Sequence, residues 1–152
     1  SFGYPIDKPN TYSRGGHGLF STANDYFLFS KMLLTGKTIN GQKIITRKSL
    51  ELMTTNHINK KILPLKIKHV EDKDPSNDLE PYGFGLGFRV LVDLGKSNYL
   101  GSINEFGWGG AASTYFLVDP KEEIIAVLMS QVLNSDNKMK NDFINIIYSS
   151  LE

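Results

Sequence analysis

The residues with the most chemical potential lie together in EFGWGGAASTYFLVDP, positions 105 to 120. Trp108, the one tryptophan of the chain, is followed by Gly109, Gly110, Ala111 and Ala112. From Ser113 onward the residues are ordinary sheet formers, up to a stop at Asp119-Pro120. A strand that gives up its side chains over four positions lets a ligand lie along its backbone with no Cβ in the way. Its N–H groups can then donate to a substrate carbonyl or to a developing oxyanion, where one donor is worth about 2.7–4 kcal/mol in the transition state. A glycine bulge beside a core tryptophan accounts for the same residues without any ligand. Spacing alone leaves both readings open.

Other motifs carry less. LTGKT at 34 to 38 resembles the end of a phosphate loop, but Lys31 stands where the first glycine belongs, and the stretch ends a helix instead of opening one. GFGLG at 83 to 87 precedes no helix. His17, His57 and His69 are scattered, with no Glu or second His at helical spacing, so they read as loop or surface residues and no metal or other cofactor is expected. Ser135-Asp-Asn-Lys138 matches a Ser-x-x-Lys pattern. It follows the last strand, where a Ser-Asp pair before a helix is an ordinary cap. With no cysteine, thiolate chemistry and disulfides are excluded.

These residues must be held by a single small core. The 152 residues are 40% hydrophobic and 22% charged, with a net charge of +1. No single-sign patch points to nucleic acid, and no apolar run approaches the ~20 residues of a membrane span. Residues 1–56 read as a loop followed by a helical region. Thr22 and Asp25 open a helix with Tyr26, Phe29 and Leu33 on one face, stopped by Gly36. Asn40-Gly41 predicts a type I′ hairpin, and a short helix follows from about 47 to 55, capped by Thr46 and burying Leu50 and Met53. Residues 57–81 change from basic to acidic, carry Pro64, Pro75 and Pro81, and read as a long surface loop.

From 82 to 152 the pattern is an antiparallel sheet closed by a helix. Alternation in YGFGLGFRVLV predicts one strand, with Tyr82, Phe84, Leu86, Phe88, Val90 and Val92 on one side. Its other side is nearly bare glycine backbone, so something must pack close to it. The second strand is expected over 106–118 and the third in EEIIAVLMSQ, with Met139, Phe143, Ile147 and Leu151 striping a last helix. Short connections make the three strands a meander. The third strand is apolar on both faces, as a central strand is, yet it ends the meander with neither proline nor central lysine to protect it. A neighbouring strand is therefore expected from outside this chain, from an N-terminal region or from a second molecule. The fold class is α+β with an incomplete sheet.

GGHGLFSTANDYFLFSKMLLTGK, NGQKIITRKSLELMTTNH, YGFGLGF and EFGWGGAASTYFLVDPKEEIIAVLMSQ, in this order, together resemble the C-terminal part of the serine β-lactamase-like family. That family includes class C β-lactamases, DD-peptidases (penicillin-binding proteins) and related esterases. The likeness spans about 14–150, and its Trp-Gly-Gly stretch is most similar to the esterase branch. The resemblance implies a helical region beside an antiparallel sheet whose first strands come from the N-terminus and pair with the last. It implies an acyl-enzyme formed on a serine, with a lysine one turn later and a tyrosine of a Tyr-x-Asn-type motif. On the strand bordering the site, Trp108 takes the place of the family's lysine, Gly109 of its threonine and Gly110 of its glycine. Ala111 would supply one oxyanion N–H, and the serine the other.

The departures shape the functional expectation. No Ser-x-x-Lys occurs in the right order, and Tyr12-Ser13-Arg14 is not the tyrosine motif. Residues 1–152 are thus expected to be one fragment of a catalytic domain, one wall of a site, inactive alone. The expected partner is a small-molecule ester or β-lactam-type substrate, taken together with the missing N-terminal part. A non-catalytic binding or scaffold member of the same fold is the alternative, and a dimer through the open edge at 122–130 is a third. Replacing lysine by Trp108 removes a charge that would hold a substrate carboxylate, which favours neutral esters.

Overall fold

The computed structural model describes residues 19–63, 79–133 and 138–151. Helix α1 (Ala23–Thr35) begins where Thr22 Oγ1 accepts from the N–H of Asp25 and ends at Gly36, whose φ of 74° lets its N–H close on Met32 O. Helix α2 (Arg47–Met53) is capped by Thr46 through the N–H of Ser49. Between them the expected hairpin forms, with Lys37 bridged to Lys43. Its turn is not type I′. Gly41 alone is at positive φ, and the bonds Gly41 N–H to Thr38 O and Thr38 N–H to Gln42 O enclose a three-residue loop.

The sheet has five strands, not three: β1 (Tyr82–Phe84), β2 (Arg89–Leu91), β3 (Phe106–Gly109), β4 (Tyr115–Asp119) and β5 (Ile124–Leu128). They lie in chain order, each antiparallel to the next. Two of the strands expected from periodicity are hairpins. In 82–92 the chain reverses at Gly85–Phe88, where Gly87 takes φ 98° and Gly85 N–H donates to Phe88 O. This splits the supposed single face. Tyr82 joins one core cluster, whereas Phe88 and Val90 join the other. In 106–118 the reversal falls at 110–114, inside the glycine-alanine stretch itself.

Helices cover both faces of the sheet. Leu33 of α1 and Leu50 of α2 bury against Val90, Phe106, Phe116 and Val118. Helix α3 (Lys138–Tyr148) packs on the other face through Ile144 and Tyr148, against Leu91, Tyr115, Leu117 and Ala126. The expected stripe is rotated by one position. Phe143 and Ile147 are only partly buried, and Leu151 is exposed. Likewise Phe29 of α1 is exposed while Leu33 is buried. The Ser135 or Asp136 cap, most of the proline-containing loop, Tyr12–Arg14, His17 and His69 lie outside the described residues. Within them no helix is long and apolar enough to cross a membrane.

Candidate active site

Strand β3 outruns β2. Pairing between them covers only Arg89 with Gly107 and Val90 with Phe106, whereas β4 continues beside β3 up to Gly109–Tyr115. Gly110 N–H donates to Thr114 O. By the two-residue alternation of an antiparallel ladder, the N–H and C=O of Gly109 therefore point away from β4, to the side where β2 has already ended. Trp108, Gly109, Gly110 and Ala111 are all exposed at this step, and Trp108 keeps 37% of its surface. The indole stands edge-on to Phe84 of β1, with ring centroids 5.2 Å apart. An apolar wall thus flanks a stretch of backbone with no strand partner on that side among the described residues.

The turn beyond is braced. Ser113 sits at φ 61° and its N–H donates to Gly110 O. Ala112 O accepts from Ser130 Oγ at 2.7 Å and from Val132 N–H at 3.1 Å, and Ser113 Oγ donates to Val132 O at 2.7 Å. The segment after β5 therefore straps the turn in place. The carbonyl of Ala112 is taken twice, while no described residue accepts from the N–H of Ala111. A donor held rigid without an acceptor is suited to a developing negative charge, because it needs no reorganisation when that charge appears.

The glycines differ in what they permit. A Cβ on Gly109 would have no neighbour closer than 3.7 Å, so space is open there. On Gly110 a Cβ would lie 2.3 Å from Thr114 Oγ1, so this position is already filled by the protein's own side chain. Phe84, Asn56 and the Ser130–Val132 strap were not singled out from the sequence. The readable signal for Asn56 was the bare glycine side of 83 and 85. Asn56 Oδ1 accepts from Phe84 N–H at 3.1 Å, His57 N–H donates to Phe84 O, and Leu86 N–H donates to Met53 O. No group of three or more His, Cys, Asp or Glu among the described residues could hold a metal ion.

A family model described as Beta-lactamase matches residues 2–149. The chain belongs to the beta-lactamase family. Protein Rv1367c of Mycobacterium tuberculosis (strain ATCC 25618 / H37Rv) is 32% identical over 136 residues, covering 85% of this chain and 31% of the relative. This beta-lactamase family chain therefore spans about a third of the curated relative's length. Among solved structures it is similar to EstCE1, a hydrolase with promiscuous acyltransferase activity (TM-score 0.58, 20% identity, 84% of this chain and 28% of that one). It is also similar to a beta-lactamase, Mb2281c, from Mycobacterium bovis (TM-score 0.60, 18% identity, 85% and 44%). At these identities the structural likenesses show the family's fold alone.

Proposed function

We propose that the chain is the C-terminal part of a serine hydrolase of the esterase-leaning kind, acting through an acyl-enzyme. The observation that carries this reading is the end of β3: exposed backbone at Gly109 without a β2 partner, beside a strapped turn whose Ala111 N–H has no acceptor among the described residues. In this reading an ester lies against Gly109, where space is open, with its acyl group beside the indole of Trp108. The serine of the whole protein attacks the carbonyl, the carbonyl oxygen takes the negative charge, and Ala111 N–H stabilises it. The bond to the alcohol then breaks, and water later releases the acid. The chain contributes one wall and half of the oxyanion hole, and alone it turns over nothing.

Trp108 in place of a lysine removes from this wall a cation that would hold a substrate carboxylate, so neutral esters are the expected substrates. Steady-state kinetics of the whole protein with a short p-nitrophenyl ester and with nitrocefin test this. The ester is expected to have the higher kcat/KM, and a clear preference for nitrocefin sinks the specificity. Ester turnover by the purified 152-residue chain, abolished by Ser135→Ala, would overturn the fragment reading. A second reading, a non-catalytic scaffold of the same fold, is favoured by the lack of a Ser-x-x-Lys in the family's order. A Ser-x-x-Lys at a helix start in the sequence preceding residue 1 separates the two.

A further inference from the structure

The face of the sheet turned to α3 carries a buried polar cluster that the proposed chemistry does not use. Strand register creates it. Phe106 pairs with Val118, so one step back Glu105 stands opposite Asp119. Glu105 is 1% exposed and Asp119 is fully buried. Like charges opposite one another on adjacent strands are destabilising, and burying ions adds a desolvation penalty.

Tyr148, at the end of α3, joins the two. Its hydroxyl lies 2.9 Å from Glu105 Oε2 and 2.7 Å from Asp119 Oδ2. A phenol has one proton to donate. It can donate to one carboxylate, but towards the other its oxygen must accept, and only a protonated carboxyl can give to it. Both contacts are favourable together only while one carboxyl keeps its proton. Asp119 Oδ1 already accepts from the N–H groups of Lys121 at 2.8 Å and Glu122 at 3.2 Å, so backbone donors hold this carboxyl in place. Glu105, whose Oε1 accepts from Tyr99 OH at 3.1 Å and whose charged form burial disfavours, is the proton holder.

The surrounding charges agree. Arg89 is buried on the same face, its guanidinium 4.4 Å from the Tyr82 ring centroid and 4.6 Å from that of Tyr115, and it donates to the Tyr115 hydroxyl. Lys140 of α3 lies 5.8 Å from the Tyr99 and Tyr115 rings. At the rim Ser102 Oγ donates to Glu122 Oε1 at 3.5 Å, and Lys121 pairs with Glu122. Among the described residues, one buried cation against two buried carboxyls is neutral only with one added proton. Burial drives the Glu105 carboxyl up to about 7, against the opposing pull of the Tyr148 bond, the Ser102 N–H and Arg89.

We propose that Glu105, Asp119 and Tyr148 form a one-proton site that latches α3 onto the sheet and loosens when the proton leaves. This inference is independent of the hydrolase reading. Its sign follows from linkage. A carboxyl raised in the folded state binds more protons there than in the unfolded chain, so its contribution to stability is full below the unfolded value. That contribution is lost as pH rises through the folded one.

Urea unfolding of the 152-residue chain between about pH 5 and about pH 8.5 tests it. The midpoint is expected to fall with rising pH between the ordinary carboxylate range and about 7, and to level off above that. Glu105→Gln, a neutral isostere of the protonated carboxyl, is expected to lose that fall. A flat or rising midpoint in the native sequence, or an unchanged fall in Glu105→Gln, overturns the site. Should that variant not fold, the 13C resonance of the Glu105 carboxyl in the native chain decides instead. An inflection near 7 supports the site, and one in the ordinary range of about 4–5 overturns it. Amide exchange, corrected for its intrinsic pH dependence, tests the latch itself. Protection in α3 should drop at high pH, and unchanged protection there overturns it.

Discussion

Gly107, Gly109 and Gly110 lie within four residues, and each lacks a side chain for a different reason. At Gly107 the reason is the fold. A Cβ there would sit 2.0 Å from Phe116 O, an atom of the paired strand that cannot move without breaking the β3–β4 ladder. Gly107→Ala is expected to cost at least the about 1–3 kcal/mol typical of overpacking, read as a lower urea midpoint. At Gly109 the surroundings are open, and Gly109→Ala should stay within about 0.5 kcal/mol of the native chain. If the ester lies along this backbone, the same methyl lowers kcat/KM of the whole protein while leaving stability alone. An equal loss of stability at both positions would mean that Gly109 is structural too. The sequence singled out the stretch, but it could not divide the glycines. The clash at Gly107 comes from a carbonyl on the partner strand, and at Gly110 from the rotamer of Thr114, and neither is visible before the register is known.

At the scale of elements, the helices with side-chain caps were legible, whereas the two hairpins inside 82–92 and 106–118 were not. Thr22, Thr46 and Gly36 act locally, within one turn of the residues they cap, so their types alone mark the helix ends. The strands β1 and β2 were fused in the reading because Gly85 and Gly87 keep the two-residue alternation of YGFGLGF through what is a turn. A glycine alternating with aromatics is compatible with both, and tertiary contact decides. Here that contact is the end of α2, since a Cβ at Gly83 would strike the Asn56 side chain and one at Gly85 would strike Met53 O. Asn56 acts as a clamp, accepting from Phe84 N–H and Ile58 N–H while donating to Ile58 O. Asn56→Ala strands these partly buried groups and is expected to cost about 1–3 kcal/mol, with a fall in Tm of a few degrees. Because Phe84 stacks edge-on to Trp108, the variant should also change the indole's fluorescence before unfolding. An unaltered emission spectrum would mean that the clamp does not position the wall.

At the scale of the whole molecule, the open feature is β5. Its residues are apolar on both faces: Ile124, Ala126 and Leu128 serve the α3 side, and Val127 serves the α1 side. Among the described residues its one strand neighbour is β4. Ala126 is buried, whereas the other four residues of β5 are half-buried, as expected for a strand with one flank uncovered. The sequence reading reached this edge from composition alone, because a strand apolar on both faces needs cover on both sides. Such an edge, with its row of unpaired N–H and C=O groups, is a template for another strand. The purified 152-residue chain is therefore expected to associate, with a light-scattering mass that rises with concentration. Ile125→Lys places a charge on the edge and should return the mass to that of one chain, at little cost in stability since Ile125 is only half-buried. In the longer protein, where a further strand is expected to lie on β5, the same substitution should instead destabilise. A chain whose mass stays that of a monomer across the concentration range would show that β5 needs no partner, and would remove the argument for a neighbouring strand.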